Sequence, residues 1–430
     1  MSDGLHRDVD ALLRRCVQCG LCLPHCATWL ETGDDVQSPR GRLVLLGALL
    51  EGAAADAAVR EAFDLCIGCR ACESACPSGV PFSLLEDGGR LAGPAEGRAA
   101  LPGVLLRRLD RPAVLAGLRP LGDAARTMLG ALAGPGWRRR FAHSRPARLL
   151  GTLPRAPRRD ADLVAILDRL TRAEGPWRPP PAADARSPLL FFRGCANEGL
   201  LPDTSRRLLD LCRAAGFAVT VPRGQDCCGA LAAHDGRAGR AALLHRRNRA
   251  AFAVAAADVP VLAEAAGCGL ELEHMDPPLP GPVRDASQVL ATAALPPLAR
   301  LPLKVAVHDP CHARHGRGIV AEPRALLRRI PGITVLEPLE AEVCCGSGGA
   351  WSLHHPDLAD ALGRRKARLL AATGADLVVT TNPGCLGQIA DGLALEAPHL
   401  PILPLTDLLW YAAARAPKAA GRGPAASGAS

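Results

Sequence analysis

The sequence predicts a multidomain chain of mixed class. It is an α+β/α/β protein in which a small helical, cysteine-rich module precedes two tandem α/β repeats. Three observations predict it. Eight of the 17 cysteines fall within the first 90 residues, in two groups of identical spacing. From Ser187 onward the cysteine pattern is duplicated: Cys195, Cys227, Cys228 and Cys268 answer to Cys311, Cys344, Cys345 and Cys385, at offsets of 116, 117, 117 and 117 residues. Each copy alternates short apolar runs with helical segments, the pattern of parallel α/β units.

The first element spans residues 1–90. Its opening group, CVQCGLCLPHC, places Cys16, Cys19, Cys22 and Cys26 at spacings of two, two and three residues, and CIGCRACESACP repeats this with Cys66, Cys69, Cys72 and Cys76. Three cysteines separated by two residues let a tight loop wrap one corner of a cubane. The fourth points away and serves the other cluster of a two-cluster module. The spacing therefore assigns Cys16, Cys19, Cys22 and Cys76 to one [4Fe–4S] cluster, and Cys66, Cys69, Cys72 and Cys26 to a second. Proline follows Cys76, but Ala27 follows Cys26; proline is not a ligand, so this costs little. The competing reading is zinc, which favours two separated C-x-x-C pairs over a run of four.

Residues 91–186 form a Pro/Arg-rich helical linker without cysteine. From Arg90 to Arg186 there are 19 arginines against eight acidic residues, while the whole chain is only +8. Arg138–Arg140 beside Leu129, Leu132 and Trp137 admit three readings: contact with an anionic membrane surface, a wrap around a neighbouring subunit, or a charged tether. Glycine and proline interrupt any amphipathic period, which counts against the first.

The repeats occupy 187–300 and 301–415. Each opens on an apolar run ending in cysteine, PLLFFRGC and LKVAVHDPC. A helix (TSRRLLDLCRAAG, EPRALLRRI), a strand (FAVTVP, GITVLE), Cys-Cys-Gly, a second helix and a last strand, clearest in DLVVTTNPGC, follow. The cysteines fall past the carboxyl ends of the strands, where open α/β sheets place ligands. Each repeat thus offers four candidate metal ligands, for a further iron–sulfur or zinc centre. Cys212 lies at apolar spacing from Leu208 and Leu209 and reads as a core thiol. His308, Asp309 and His312 flank Cys311, with His315 near. A donor or proton relay beside a redox centre is one reading, and a strand-end loop with satisfied polar groups is the plainer one. His354 and His355 read as a helix-start loop before Pro356. Arg246, Arg247 and Arg249, then Arg364, Arg365 and Lys366, read as solvated helix faces, the alternative being a surface for anionic groups or a partner protein. The last stretch, 416–430, reads as a disordered tail.

Composition supports this outline. Apolar residues make up 48% of the chain, with no run of 18 to cross a bilayer. The opening MSDGLHRDVD lacks the build of a secretory leader. The cysteines are accordingly expected as reduced, metal-binding thiols in the cytoplasm rather than as disulfides. Only three of the 51 basic residues are lysine. That bias fits genomic base composition, and no nucleic-acid recognition module is present.

CVQCGLC with SPRGR, CIGCRACESACPSGV and the two CCG repeats together resemble the iron–sulfur subunit of glycolate oxidase over residues 10 to 412. Related two-ferredoxin, two-CCG proteins include the iron–sulfur subunit of anaerobic glycerol-3-phosphate dehydrogenase and heterodisulfide reductase subunits, and Pro39–Arg42 favours the glycolate type. The resemblance implies FAD-binding partner subunits that oxidise glycolate or D-lactate to the 2-oxo acid, with electrons passed on to a quinone-type acceptor. The first reading of the linker would place this cytoplasmic chain peripherally on the cytoplasmic face of the inner membrane. No dinucleotide fingerprint occurs in the chain, since GSGGAW at 346–351 has the wrong spacing; the flavin chemistry is expected on another subunit, with no catalytic residue here. One departure stands out. Heterodisulfide reductase repeats end in C-x-x-C, whereas Ala265 and Asn382 occupy the first position of that pair. This puts the noncubane cluster and thiol–disulfide chemistry in doubt.

Overall fold

A computed structural model of the chain describes residues 9–94, 110–117 with positions 120 and 124, and 187–416 apart from 255 and 257. The basic stretch around Arg138–Arg140 and the tail from 417 lie outside the described residues.

The N-terminal module is built from helices Ala27–Thr32, Pro39–Leu50, Ala57–Asp64, Ala71–Ser74 and Ser83–Ala92. Two begin on side-chain caps that satisfy amides left free by the first turn. The Ser38 hydroxyl accepts from Gly41 N, with Pro39 at the first helical position, and Asp56 accepts from Val59 N. Leu43, Leu46, Phe63, Leu84 and Leu85 pack together as its core. The two cysteine loops run beside this core, the first with Val17, Cys19 and Leu21 exposed.

The first repeat forms a parallel sheet from β1 (Ser187–Phe192), β2 (Phe217–Thr220), β3 (Val261–Ala263) and β4 (Val283–Asp285), in the order β2-β1-β3-β4. The second repeats it with β5 (Lys304–His308), β6 (Thr334–Leu336), β7 (Leu377–Thr380) and β8 (Ile402–Pro404), in the order β6-β5-β7-β8. The central strands are buried continuous runs, as parallel sheets covered on both faces require. The chain reverses its direction of travel across the sheet between β1 and β3, and between β5 and β7, which opens a crevice at their carboxyl ends. The eight repeat cysteines follow the carboxyl ends of β1, β2 and β3 in one sheet and of β5, β6 and β7 in the other.

Each sheet carries a fourth strand and a closing helix that the sequence pattern did not announce: β4 with Ala286–Thr292, and β8 with Leu405–Ala414. Strands of three residues, VRD and ILP, are too short to display a period. The repeats share one hydrophobic core. Leu189, Phe191, Leu208 and Leu211 of the first lie in the same cluster as Val305, Val307, Leu403 and Leu408 of the second. Arg207 fastens the two. Its guanidinium donates to Asp407 Oδ2 at 2.7 Å and to the Tyr411 hydroxyl at 3.0 Å, and lies 4.8 Å from the Tyr411 ring centroid. Cys212 is fully buried in this core, where burial pushes its thiol up to about 12. Among the described residues, no helix is long and apolar enough to cross a membrane.

Candidate metal centres

The two N-terminal cysteine loops share one backbone solution. Gln18 and Gly20 in the first, and Gly68 and Arg70 in the second, adopt positive φ at equivalent positions. Left-handed residues at alternate positions turn successive amides inward, making a concave lining that favours anions. Gln18 and Arg70 hold this conformation without the freedom of glycine, a strain that is concentrated at functional loops.

Two hollows lie against these loops. One is lined by Cys16, Cys19, Cys22 and Cys76 together with Cys72. The other is lined by Cys26, Cys66, Cys69 and Cys72. Each hollow thus draws its cysteines from both loops, with Cys72 in the wall of both. The thiols surround space rather than meeting at a point. Among the described residues, only His308, Cys345 and Cys385 bring three donor atoms within 4.8 Å of one another. The wider N-terminal arrangement suits a cluster of several atoms better than a single zinc ion.

Charge makes a second test of fit. Arg42 is 1% exposed and lines the second hollow. Its guanidinium donates to neutral oxygens: Ala62 O at 2.6 Å, Thr28 Oγ1 at 3.3 Å and Gln37 Oε1 at 3.4 Å. A buried cation needs a counter-charge, and a thiolate-bound iron–sulfur cluster supplies one. Burial pushes the Cys66, Cys69 and Cys72 thiols up, while Arg42 draws those of Cys66 and Cys72 back. Metal binding must therefore displace protons that the empty thiols would keep.

In the first repeat, Cys195 opens the helix after β1, Cys227 and Cys228 sit in the loop after β2, and Cys268 lies in the first turn after β3. The Cys195 and Cys227 sulfurs are 3.3 Å apart; this contact holds Cys227 down and pushes Cys195 up. Gly229 bends the chain away at φ 103°. In the second repeat the Cys311 and Cys344 sulfurs are 3.9 Å apart. Cys345 and Cys385 instead face His308. Asn382, at the position of the absent cysteine, donates from Nδ2 to Cys385 Sγ at 3.5 Å.

Two expectations need correction. His308 is not in a loop with satisfied polar groups. It is the last residue of β5, 2% exposed, and neither ring nitrogen has a hydrogen-bond partner. Burial and the neighbouring Lys366 hold its imidazole neutral. Lys366 is not on a solvated face either. It is 2% exposed, beside Cys344 and Cys345, and donates to Glu340 O. The flanking arginines do reach the surface, where Arg247 pairs with Asp226 and Arg364 with Glu396. Asp309 pairs with Arg314 and Arg324. His354 contacts Asp235, and the following helix begins at Pro356.

The second repeat also joins the N-terminal module. Ile67, between Cys66 and Gly68, packs in one apolar cluster with Val343, Cys344 and Trp351, against which Cys69 and Cys311 also lie. His312 Nε2 donates to Gly68 O at 3.2 Å, and His315 Nδ1 lies 2.6 Å from Ser74 Oγ. Arg365 spans Glu340 at 2.8 Å and Glu31 at 3.4 Å. Sequence reasoning had no signal for this junction. Arg42 was visible only as part of the PRGR string, and Lys366 falls opposite the exposed Arg249 at the 117-residue offset of the cysteines, which gave no sign of its burial.

Residues 12–80 match the model of a 4Fe-4S dicluster domain, and residues 189–273 and 305–390 match that of a cysteine-rich domain. The chain is 31% identical to a probable glycolate oxidase iron-sulfur subunit from Bacillus subtilis, across 93% of this chain and 94% of the relative. It is 29% identical to the glycolate oxidase iron-sulfur subunit of Escherichia coli, across 91% and 93%. Lactate utilization protein A of Oceanobacillus iheyensis is 24% identical across 51% of this chain and 95% of its own length.

Proposed function

Because the chain belongs to the family of glycolate oxidase iron–sulfur subunits, we propose that it is the electron-transfer subunit of a glycolate or D-lactate dehydrogenase complex. A partner flavoprotein oxidises the 2-hydroxy acid to the 2-oxo acid, and this subunit relays the electrons to a quinone-type acceptor. The complex works in the cytoplasm, with the basic 91–186 segment as its contact to the membrane or to a neighbouring subunit. The observation that carries the reading is the pair of hollows, lined by five and four cysteines, each set drawn from both loops and with Cys72 shared.

Bound there, [4Fe–4S] clusters supply one-electron redox chemistry, which lets a two-electron flavin discharge in single steps. Cys16, Cys19, Cys22 and Cys76 hold one cluster, and Cys26, Cys66, Cys69 and Cys72 the other. The chain's remaining residues set the surroundings. Arg42 places a fixed positive charge beside the second hollow. Ile67, Val343 and Trp351 exclude water between that hollow and Cys311 and Cys344. A dry, apolar contact lowers the solvent rearrangement that accompanies each charge movement.

Co-expression with its flavoprotein subunits should give glycolate-dependent or D-lactate-dependent reduction of a dye. Cys19→Ser or Cys69→Ser should abolish that transfer while leaving flavin reduction by substrate intact. Unchanged dye reduction in both variants would refute the relay.

A further inference from the structure

The repeats look alike in their cysteines and differ in what surrounds them. β1 ends on Phe192, whose ring packs on Phe252 with centroids 6.1 Å apart. β5 ends at the equivalent place on His308, beside Thr380 of β7 in the sheet register. In the first repeat Asn248 spends both ends of its amide on the backbone, accepting from Asp226 N and donating to Cys227 O. In the second, Lys366, buried on the long helix that follows the cysteine pair, brings a positive charge to it. One crevice is closed by an aromatic ring and a satisfied amide. The other is closed by an imidazole with neither nitrogen partnered and by an ammonium group.

We propose that the second repeat alone holds a mixed thiolate–imidazole metal centre, with His308, Cys345 and Cys385 as ligands. Their donor atoms all lie within 4.8 Å of one another, and all three side chains are buried. An imidazole buried with two bare nitrogens is costly unless something binds it. Two sulfurs and one nitrogen select a thiophilic transition metal, iron or zinc, over magnesium or calcium. Three protein ligands leave a tetrahedral ion one further position. Asn382 replaces a fifth cysteine by a donor to the Cys385 sulfur, a contact that orients a ligand rather than adding one. The proposal extends the electron-transfer reading, and its test reads metal rather than turnover, so the two can fail separately.

The full chain, purified without oxygen from cells supplied with iron and zinc, is analysed for both metals. The expected result is metal beyond that of the two N-terminal clusters, lost in His308→Phe, the substitution that copies the first repeat. His308→Cys should keep the metal. If the extra metal is iron, the wild type should show the strong nitrogen coupling of a directly bound imidazole in its paramagnetic state. If it is zinc, absorption at the zinc edge should show imidazole scattering. Either signature should vanish in His308→Cys. Unchanged metal content in His308→Phe, or a wild type with neither signature, would overturn the assignment.

Discussion

Arg42 shows what a single residue does in this molecule. Its side chain is buried among neutral acceptors and faces the hollow lined by Cys26, Cys66, Cys69 and Cys72. A cluster gains negative charge on reduction, so a nearby fixed cation favours the reduced form and raises the potential. Arg42→Gln should therefore shift the midpoint of the cluster proposed for that hollow to more negative values and leave the one proposed at Cys16, Cys19, Cys22 and Cys76 less affected. A redox titration followed by electron paramagnetic resonance separates the two, and equal shifts would contradict the assignment. Loss of the charged hydrogen bonds should also cost stability on the order of 3 kcal/mol. At this scale the sequence was legible where chemistry repeats. The two cysteine runs repeat one spacing, a pattern that can be read before any folding. A buried arginine, lysine or histidine has no such spacing, because its burial comes from elements distant in sequence. Arg42 meets Ala62 O, and His308 meets Cys385, only after folding.

The element that carries Arg42 begins at a constrained point. Gly41 sits in the first turn of Pro39–Leu50, where a Cβ would collide with the carbonyl of Asp35. Ser38 caps the same turn through Gly41 N, and Arg40 pairs with Asp35. The string SPRGR thus reads as cap, helix-starting proline, surface ion pair, close approach and buried cation, in that order. Gly41→Ala should force the turn apart at a cost of about 2 kcal/mol. The expected readout is a lower thermal midpoint and faster loss of visible cluster absorbance in air, whereas Arg40→Ala should change little. Strands β1, β5 and β7 were readable because they are apolar runs of four to six residues. The strands β4 and β8 take their identity from pairing with β3 and β7, which no local pattern encodes.

Across the whole molecule, the interface between the repeats can be interrogated through Glu264. It follows β3 and is buried, with Oε2 accepting from Asn197 Nδ2 of the first repeat at 2.7 Å. Thr406 and Asp407 of the second repeat are also among its neighbours, as is Asp285. Burial, opposed in part by the Thr406 contact and reinforced by the two aspartates, pushes its carboxyl up to about 8. The folded chain therefore keeps this proton where the unfolded chain, with a value near 4.5, releases it. Stability contributed by the neutral carboxyl is complete below pH 4.5 and is lost as pH rises through 8. Glu264→Gln keeps an oxygen for Asn197 and removes the ionisation. Thermal unfolding of wild type and variant should nearly coincide at the acid end of this window. The variant should become progressively more stable across this window as pH rises, reaching a difference on the order of 5 kcal/mol by pH 8. A gap that stays constant across the window would place the proton elsewhere. Because the two sheets share one hydrophobic core, loosening at Glu264 should be felt in both repeats together. Among the described residues, the N-terminal module packs on the second repeat through Ala27 and Ile67 against Val343, Cys344, Trp351, Ala359 and Leu362, away from Glu264, so the clusters proposed for it should survive to higher pH than the pairing of the repeats.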